Sequence, residues 1–582
     1  MKKRKAYKRN DYIIIKFPYS EEMVEIVKST VPSRKWNVHG RFWYAPISIN
    51  AIRALKKHKF RLSKSLQEML EPPKCNPEEF KHAKENLLLP LMDFQEEGVK
   101  FALARRPGLK GVLIADEPGL GKTVQALGFV AAKKDRPVLI VCPTSLKLNW
   151  EAEIKKFLSP SCYEKIEVLN GRTISQTTGD ILIIGYSTLF YWLDELYRRE
   201  IKILILDECH YVKNNKAQRS VAIYGRQKKG KVPGVKGLKK TVDHIIALSG
   251  TPITSRPIEF YNILHTLAPN DFNSYYNFGN KYCGMRKIWI GGGRQISDYN
   301  GCVNPKGLHR DISHIMIRRR KKDVLKQLPA KRRVAVPLPL DNRNEYEKVE
   351  RNFISWLKTE YGKEAVENAR NAQHLVQISH LKDMCWKGKR KYVFDFLDNI
   401  IETGNKVVVF AERTAAINEI CEHFEKKIGV VKIDGSVKEV DRKKAVEKFQ
   451  NDKTVKMFVG QVAAASEGLT LTASYITVTV QLAWVPAVHL QAEDRVHRIG
   501  QEESVVAYYL VAKGSVETRI QEILENKMEV LEAVLDGEEL ESGSVFEEFI
   551  GGMLSNVEKK KEEKEVTQEE KTDEEKKQNA KK

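Results

Sequence analysis

No apolar run in this chain approaches the ~18–20 residues that a membrane-spanning helix needs, and no apolar leader core opens it. Neither a membrane anchor nor a secretory leader is therefore expected. Cysteine is sparse: eight residues, at 75, 142, 162, 209, 283, 302, 385 and 421, with no CxxC pair among them. That spacing argues against zinc and against disulfides, and for a reducing compartment. Cys142 and Cys421 lie inside apolar stretches and read as small core residues. Acidic residues are in deficit, 76 Asp and Glu against 99 Lys and Arg, a net charge of +23. Such a balance favours a polyanionic partner, nucleic acid before an anionic membrane. An intracellular site is expected: the nucleus in a eukaryote, the nucleoid or general cytoplasm if the source is prokaryotic or viral.

What is present is a globular composition, 42% hydrophobic and 30% charged, in 582 residues. That length exceeds a single core, so two or three domains are expected. The informative stretch is 111–123, Gly-Val-Leu-Ile-Ala-Asp-Glu-Pro-Gly-Leu-Gly-Lys-Thr. Val112–Ala115 reads as a buried strand, Gly119 and Gly121 as a turn, and Lys122 onward as a helix. A strand, a glycine turn and a helix N-terminus gather backbone N–H groups around an anion, with the helix dipole behind them. Lys122 would reach the terminal phosphates and the Thr123 hydroxyl would ligate Mg²⁺, as in a P-loop. Asp116 stands where that motif usually begins with glycine.

Apolar runs of strand length recur at 138–143, 181–184, 203–206 and 245–248, separated by helical stretches. The pattern restarts at 407–410, 430–433, 456–459, 476–480 and 505–510. Apolar runs alternating with helices predict parallel sheets covered on both faces, in two α/β lobes. Ligands bind such sheets at the carboxyl ends of the strands.

The chemistry-bearing residues fall at those ends. Asp207-Glu208-Cys209-His210 closes one strand 85 residues after Lys122. Asp207 can hold Mg²⁺ through its water shell and Glu208 can polarise the attacking water. His210 is read as coupling the lobes by hydrogen bonding. Ser249-Gly250-Thr251-Pro252 ends the next strand with small hydroxylic residues suited to relaying nucleotide state; with Gln491 they complete the coupling set. In the second lobe, Gln491–Gln501 carries Arg495 and Arg498 three apart on one helical face. An arginine offered across a cleft to a phosphoryl group is worth ~10³–10⁵ in rate, and these two are the candidates.

Two basic regions are candidate nucleic-acid contacts. Residues 1–64 hold 17 Lys and Arg against four acids. The opening Lys2–Lys5 cluster reads as a nuclear address, a flexible DNA-binding arm or a solvated terminus. Within 34–46, Trp36, Arg41 and Trp43 sit on an expected hairpin around an Asn37–Gly40 turn, whose aromatics either stack on unpaired bases or form the core of a small module. Residues 225–240 hold seven basic residues and no acid, Lys228, Lys229 and Lys231 among them, and read either as a DNA-contacting loop or as a solvated one.

Taken together, Gln95, Asp116–Thr123, Asp207–His210, Ser249–Pro252, Gly468–Thr472 and Gln491–Gln501 resemble, in order and style, the Swi/Snf-type ATPases of helicase superfamily two. His497-Arg-Ile-Gly-Gln501 is the most characteristic piece. Ser255-Arg-Pro257, Leu328-Pro-Ala-Lys331 and Glu493-Asp494 are similar to the HepA-related annealing helicases within that group. Pro118, where Met is common, and Glu467, where a small residue is usual, depart from the pattern without removing a catalytic atom.

The resemblance implies an α/β fold of two RecA-like lobes with helical insertions and a small N-terminal α/β module. It implies that Gln95 reads the adenine and that Asp116, Glu117, Pro118, Gly119, Leu120, Gly121, Lys122 and Thr123 bind ATP with Mg²⁺. The expected division is a HARP-like DNA-binding module at 1–64, a linker at 65–88, lobe one at 89–265 and a helical insertion and inter-lobe linker at 266–390. Lobe two follows at 391–530, then a helical segment at 531–556 and a disordered charged tail at 557–582, which has nine basic and nine acidic residues. The implied function is a DNA-dependent ATPase that translocates on duplex DNA and remodels or anneals forks; the alternative is a motor displacing proteins from DNA. Double-stranded and branched DNA are the expected partners, with a single-strand-binding protein a further candidate, and the motor is expected to act as a monomer. No partner-recruitment peptide, nuclease or zinc module is recognisable in the sequence.

Overall fold

The computed structural model describes residues 4–104, 107–228, 232–253, 256–289, 295–299, 301–361, 367–465 and 469–536. Two parallel sheets organise them. In the first lobe seven strands run in the order Met316–Ile317, Gly111–Ile114, His244–Leu248, Ile203–Leu206, Val138–Cys142, Ile181–Gly185 and Ile166–Leu169. Successive side chains of one strand enter opposite cores. Leu204 and Leu206 pack into one layer and Ile203 and Ile205 into the other, all fully buried. A strand buried on both faces has no polar positions to alternate, which is why these runs are continuously apolar.

The second lobe repeats the plan with six parallel strands ordered Lys331–Leu338, Val505–Ala512, Ile476–Thr479, Val407–Ala411, Val455–Gln461 and Gly429–Ile433. Long helices Arg343–Tyr361 and Glu367–Glu402 pack on this lobe with the helix Val516–Asp536. The last of these returns to the first lobe, where Val534 and Leu535 are buried beside Leu308 and Ile312.

The N-terminal module is a five-stranded sheet in the order Lys35–Asn37, Phe42–Pro46, Tyr12–Lys16, Lys5–Arg9 and Arg61–Leu62. Met23 and Val27 of helix Glu21–Thr30 and Ile52 and Leu55 of helix Ile49–Lys57 cover one face, over Ala6, Ile13, Ile15 and Ala45.

Three expected boundaries are corrected. Residues 266–390 are not one insertion: Met316–Ile317 completes the first sheet and Lys331–Leu338 forms the edge of the second, so the crossing between lobes is confined to about 318–330. The first strand is only two residues long, and the second opens on three consecutive basic residues, Lys331-Arg332-Arg333, and holds Pro337, which an edge position tolerates. The expected linker at 65–88 contains structure from both neighbours. Leu66 is buried in the module, and helix Pro77–Glu85 packs Ala83 into the first lobe. Finally, 531–536 continue the helix begun at Val516. The rest of the 531–556 segment, and the 557–582 tail, lie outside the described residues.

Candidate active site between the lobes

Strand Gly111–Ile114 delivers the phosphate loop, and helix Lys122–Ala132 leaves it. Gly119 and Gly121 adopt φ of +89° and +76°, a region L side chains avoid. A Cβ on Gly121 would fall 2.5 Å from Gln95 Nε2, so the absent side chain is what lets Gln95 lie against the loop. Gln95 accepts from the Met92 N–H at 3.0 Å and donates to the Leu120 carbonyl at 3.4 Å. Lys122 Nζ donates to the Asp116 carbonyl at 3.0 Å. Burial pushes its ammonium down, Arg495 adds to the lowering, and Glu208, Asp116 and Asp207 oppose it.

The Asp116 carboxylate does not face the phosphate cradle. It is fully buried, accepting from Arg319 at 2.5 Å and from Gln125 at 2.9 Å. The residue's carbonyl accepts from Lys122, so Asp116 lines the loop through its backbone while its carboxylate is engaged by Arg319 and Gln125. Glu117 likewise turns to the crossing segment, accepting from the Lys321 N–H at 2.8 Å. Pro118 packs over Gly250, where a Cβ would lie 2.7 Å from the Pro118 ring.

Asp207 and Glu208 stand together at the tip of Ile203–Leu206. Asp207 accepts from the Trp150 indole at 2.7 Å and from the Glu208 N–H at 3.0 Å. Glu208 has a left-handed backbone, φ +48°, and accepts from the Ser249 hydroxyl at 3.2 Å, with His210 Nδ1 3.3 Å away. The pair is pushed apart. Burial, and then Glu208, raise Asp207; at Glu208 burial is outweighed by His210, Lys122 and Arg495, which hold it below the usual carboxylate range.

From Glu208 a continuous relay leads to the other lobe. Ser249 Oγ accepts from the Thr251 N–H at 3.2 Å and contacts His210 Nδ1 at 3.1 Å, and the Thr251 hydroxyl accepts from Gln491 at 3.0 Å. The structure thus brings His210, Ser249, Thr251 and Gln491 into one line. Arg495 and Arg498 lie on the same inter-lobe face, 9% exposed and half-buried respectively, both reaching the Leu469 carbonyl, at 3.5 and 3.0 Å. The Arg495 charge is felt at Lys122 and at Glu208. A Cβ on Gly119 would lie 3.1 Å from Arg498 Cβ. Burial and then Arg495 push the Arg498 guanidinium down to about 10.

The crossing segment supplies residues that the motif reading missed. Arg318 donates to the carbonyls of Ala115 and Gly250, at 3.1 and 3.2 Å. Lys321 is 3% exposed; it donates to Asp494 at 2.8 Å and to the His497 carbonyl. Lys321 therefore ties the phosphate loop, through Glu117, to the turn that follows helix Pro486–Glu493; Arg495 and Arg498 lie on that turn and not on the helical face expected for them. The signal was the basic run 318–322, Arg-Arg-Arg-Lys-Lys, directly after a strand. Trp150, which donates to Asp207, left no signal beyond an apolar helical position.

The candidate DNA contacts are spread elsewhere. The hairpin forms as expected: Trp36 pairs across it with Trp43, ring centroids 5.4 Å apart, and the Gly40 N–H donates to Asn37 at 2.7 Å. Trp36 is 46% exposed, whereas Trp43 packs against the module core, and Arg41 is exposed. Lys228 is exposed in a loop closed by the Arg226–Val235 pair; Lys229 and Lys231 lie outside the described residues, as do Glu467 and Gly468. Among the described residues no cluster of metal-ligating side chains occurs, and no helix is long and apolar enough to cross a membrane.

Two parallel-sheet lobes closing on a glycine-rich phosphate loop, with paired carboxylates on one and arginines on the other, define a P-loop ATPase fold of the helicase superfamily-two kind. The chain belongs to the SNF2-related family: residues 94–389 match the SNF2-related domain and 389–500 the helicase conserved C-terminal domain. It is 33% identical over 458 residues to the SWI/SNF-related matrix-associated actin-dependent regulator of chromatin subfamily A-like protein 1 of Xenopus laevis, covering 77% of this chain and 44% of that protein. It is also 33% identical over 458 residues to the DNA annealing helicase and endonuclease ZRANB3 of Bos taurus, with 77% and 41% covered. To the Caenorhabditis elegans homolog of the first it is 30% identical over 553 residues, 90% of this chain and 74% of that one. The chain thus spans less than half the length of these two vertebrate relatives.

Proposed function

We propose that this chain is a DNA-dependent ATPase that moves along duplex DNA and remodels or anneals branched DNA. The observation that carries the reading is the relay from Glu208 through Ser249 and Thr251 to Gln491, which wires the hydrolytic carboxylate to the opposite lobe. A motor needs such a connection because nucleotide state must alter how the lobes sit on the track. The net charge of +23 and the name of the Bos taurus relative, a DNA annealing helicase and endonuclease, support DNA as that track.

The residues present fit Mg²⁺ and ATP. The left-handed glycines leave a cradle that side chains would fill, and the Lys122 ammonium is held on a carbonyl that a phosphate can replace. Lys122 and Thr123 would bind phosphate and metal, with Asp207 holding the metal through water, and Gln95 would read the adenine. Bound Mg²⁺ would neutralise charge building on the phosphates. Glu208 orients and polarises the attacking water, and Arg495 and Arg498 stabilise the transferring group from across the cleft.

The test is phosphate release measured across single-stranded, duplex and forked DNA, with Lys122→Ala as control. DNA-stimulated release that the variant abolishes, together with ATP-driven rewinding of a bubble coated by single-strand-binding protein, supports the reading. Stimulation without rewinding favours a motor that displaces bound proteins, and no stimulation by any DNA overturns both.

A further inference from the structure

Asp207 is held at each of its four polar atoms. Its N–H donates to the Val141 carbonyl at 2.8 Å, and its own carbonyl accepts from the Tyr186 hydroxyl at 2.8 Å. Of the carboxylate oxygens, Oδ1 accepts from the Glu208 N–H at 3.0 Å and Oδ2 from the Trp150 indole at 2.7 Å. The first two bonds fix the backbone at the strand tip and leave the side chain free to turn. The bond from Glu208 comes from the next residue of the same tip. The indole reaches the carboxylate from a different element, and with the N–H on the other oxygen it sets the plane of the group.

That anchor is rigid. Trp150 lies on helix Lys147–Phe157, which follows strand Val138–Cys142, and that strand is hydrogen-bonded to Ile203–Leu206. The ring is 1% exposed, in the core layer that holds Ile140, Ile154 and Ile205, so packing fixes its rotamer before any ligand arrives. The last torsion of an aspartate is broad and is not fixed by the side chain itself. An indole N–H donates and accepts nothing. It can neither ligate a cation nor neutralise a carboxylate, so it directs Asp207 without competing for what Asp207 holds. A histidine or an amide in its place could take a ligand's role, and a lysine would cancel the charge.

We propose, resting on the ATP site described above, that Trp150 is a positioning residue for the metal: its indole N–H keeps the Asp207 carboxylate in the orientation that receives the water shell of Mg²⁺. What Trp150 contributes is direction and not charge. Its loss therefore falls on the metal-dependent part of nucleotide binding, and the part supplied by Lys122 and the glycine turn is spared.

The test measures binding of a fluorescent ATP analogue to the full chain, in EDTA and across a Mg²⁺ titration, beside thermal melts. Trp150→Phe keeps an aromatic ring in the core and removes the donor. It should bind the analogue in EDTA as the native chain does. It should need about 10-fold more Mg²⁺ for half of the metal-dependent tightening, the scale expected when a metal-holding group loses an outer hydrogen bond. Trp150→Leu, which empties more of the core, should melt earlier than Trp150→Phe yet show the same Mg²⁺ shift. A ring that serves packing alone gives the opposite pattern, with Trp150→Phe native-like in Mg²⁺ and Trp150→Leu impaired, and that result overturns the proposal. A second readout leaves the core intact: in a chain labelled with 5-fluorotryptophan, Asp207→Asn marks the fluorine resonance of Trp150 among the eight tryptophans. In the unsubstituted labelled chain that resonance should move when Mg²⁺ joins bound nucleotide, and a resonance that stays put overturns the proposal even if both core variants fail to fold. A native chain whose nucleotide affinity ignores Mg²⁺ sinks the ATP site and the positioning role together. A native chain that tightens with Mg²⁺, beside a Trp150→Phe chain that tightens at the same concentration, removes Trp150 alone.

Discussion

Gln491 donates to the Thr251 hydroxyl at 3.0 Å across the lobe boundary, at the far end of a relay that starts on Glu208. Both side chains are buried, so the bond is sheltered from competing water. If it transmits nucleotide state, Gln491→Ala should lower the duplex-stimulated kcat by about 5- to 10-fold, the worth of one buried neutral hydrogen bond, with little change in the KM for nucleotide. Steady-state kinetics with and without duplex DNA check this. A rise in KM at constant kcat would instead make Gln491 part of nucleotide binding.

Arg495 and Arg498 converge on the Leu469 carbonyl and face the phosphate loop from the second lobe. On the function proposed above, their contribution falls where charge develops during transfer, and the cradle of Lys122 and the left-handed glycines does not depend on them. Replacing either by Ala should cut kcat by ~10³ while nucleotide affinity stays within a few-fold. Equilibrium binding of a fluorescent nucleotide beside single-turnover hydrolysis separates the two effects. Equal losses in both would place the arginines in ground-state binding.

Asp116 and Arg319 form a buried pair at 2.5 Å in the position where phosphate loops usually begin with glycine. Removing the carboxylate strands a guanidinium that is itself only 10% exposed. Asp116→Ala should therefore cost about 3–5 kcal/mol of stability, and adding Arg319→Met should restore most of it. Thermal melts of the single and double variants measure this. A single variant that melts normally yet loses nucleotide affinity would return Asp116 to the nucleotide.

Glu493 is buried against Lys331 at 2.7 Å and Arg333 at 2.7 Å, and the Tyr509 hydroxyl donates to it at 2.6 Å. Burial alone would raise its pKa; Lys331 and Arg333 outweigh it and hold the carboxyl well below the usual range. A depressed folded pKa contributes stability that is complete above the unfolded value, ~4.3, and is lost as pH falls toward the folded one. Docking of the edge strand Lys331–Leu338 should weaken through that acid window. Glu493→Gln should be less stable at neutral pH and show a flatter decline below about pH 5. Melting temperature against pH is the measurement, and parallel curves for the two proteins would remove Glu493 as the cause.

The strands that carry the site were legible because burial on both faces leaves only apolar residues, as in Ile203–Leu206 and Val407–Ala411. Strand tips then placed Asp207, Glu208 and Ser249 where ligands sit. Met316–Ile317 was not legible, since two residues show no period. Lys331–Leu338 was hidden by its opening basic run, Lys331-Arg332-Arg333, which becomes intelligible only once Glu493 is seen against Lys331 and Arg333. For Asp116, sequence gives a position in a loop but not the direction of its side chain, which turns to Arg319. Arg319 and Lys321 act on partners 203 and 173 residues away, a distance at which no local pattern operates.

Trp36 and Trp43 face each other across the hairpin, yet the structure gives them different work. Trp43 packs on the module core and Trp36 stands 46% exposed at the edge strand. Trp43→Ala should thus destabilise the module by about 1–2 kcal/mol, as partial burial of a large ring implies, and would blur any reading of its role in DNA binding. Trp36→Ala should leave the melt within about 0.5 kcal/mol, as surface changes do, while lowering affinity for a forked probe relative to a linear one on the order of 10-fold. Differential scanning calorimetry paired with competition between forked and linear DNA tests both halves. Were Trp36→Ala to bind the two probes in the native ratio, the hairpin would be a structural element alone, and the exposed ring would need another partner.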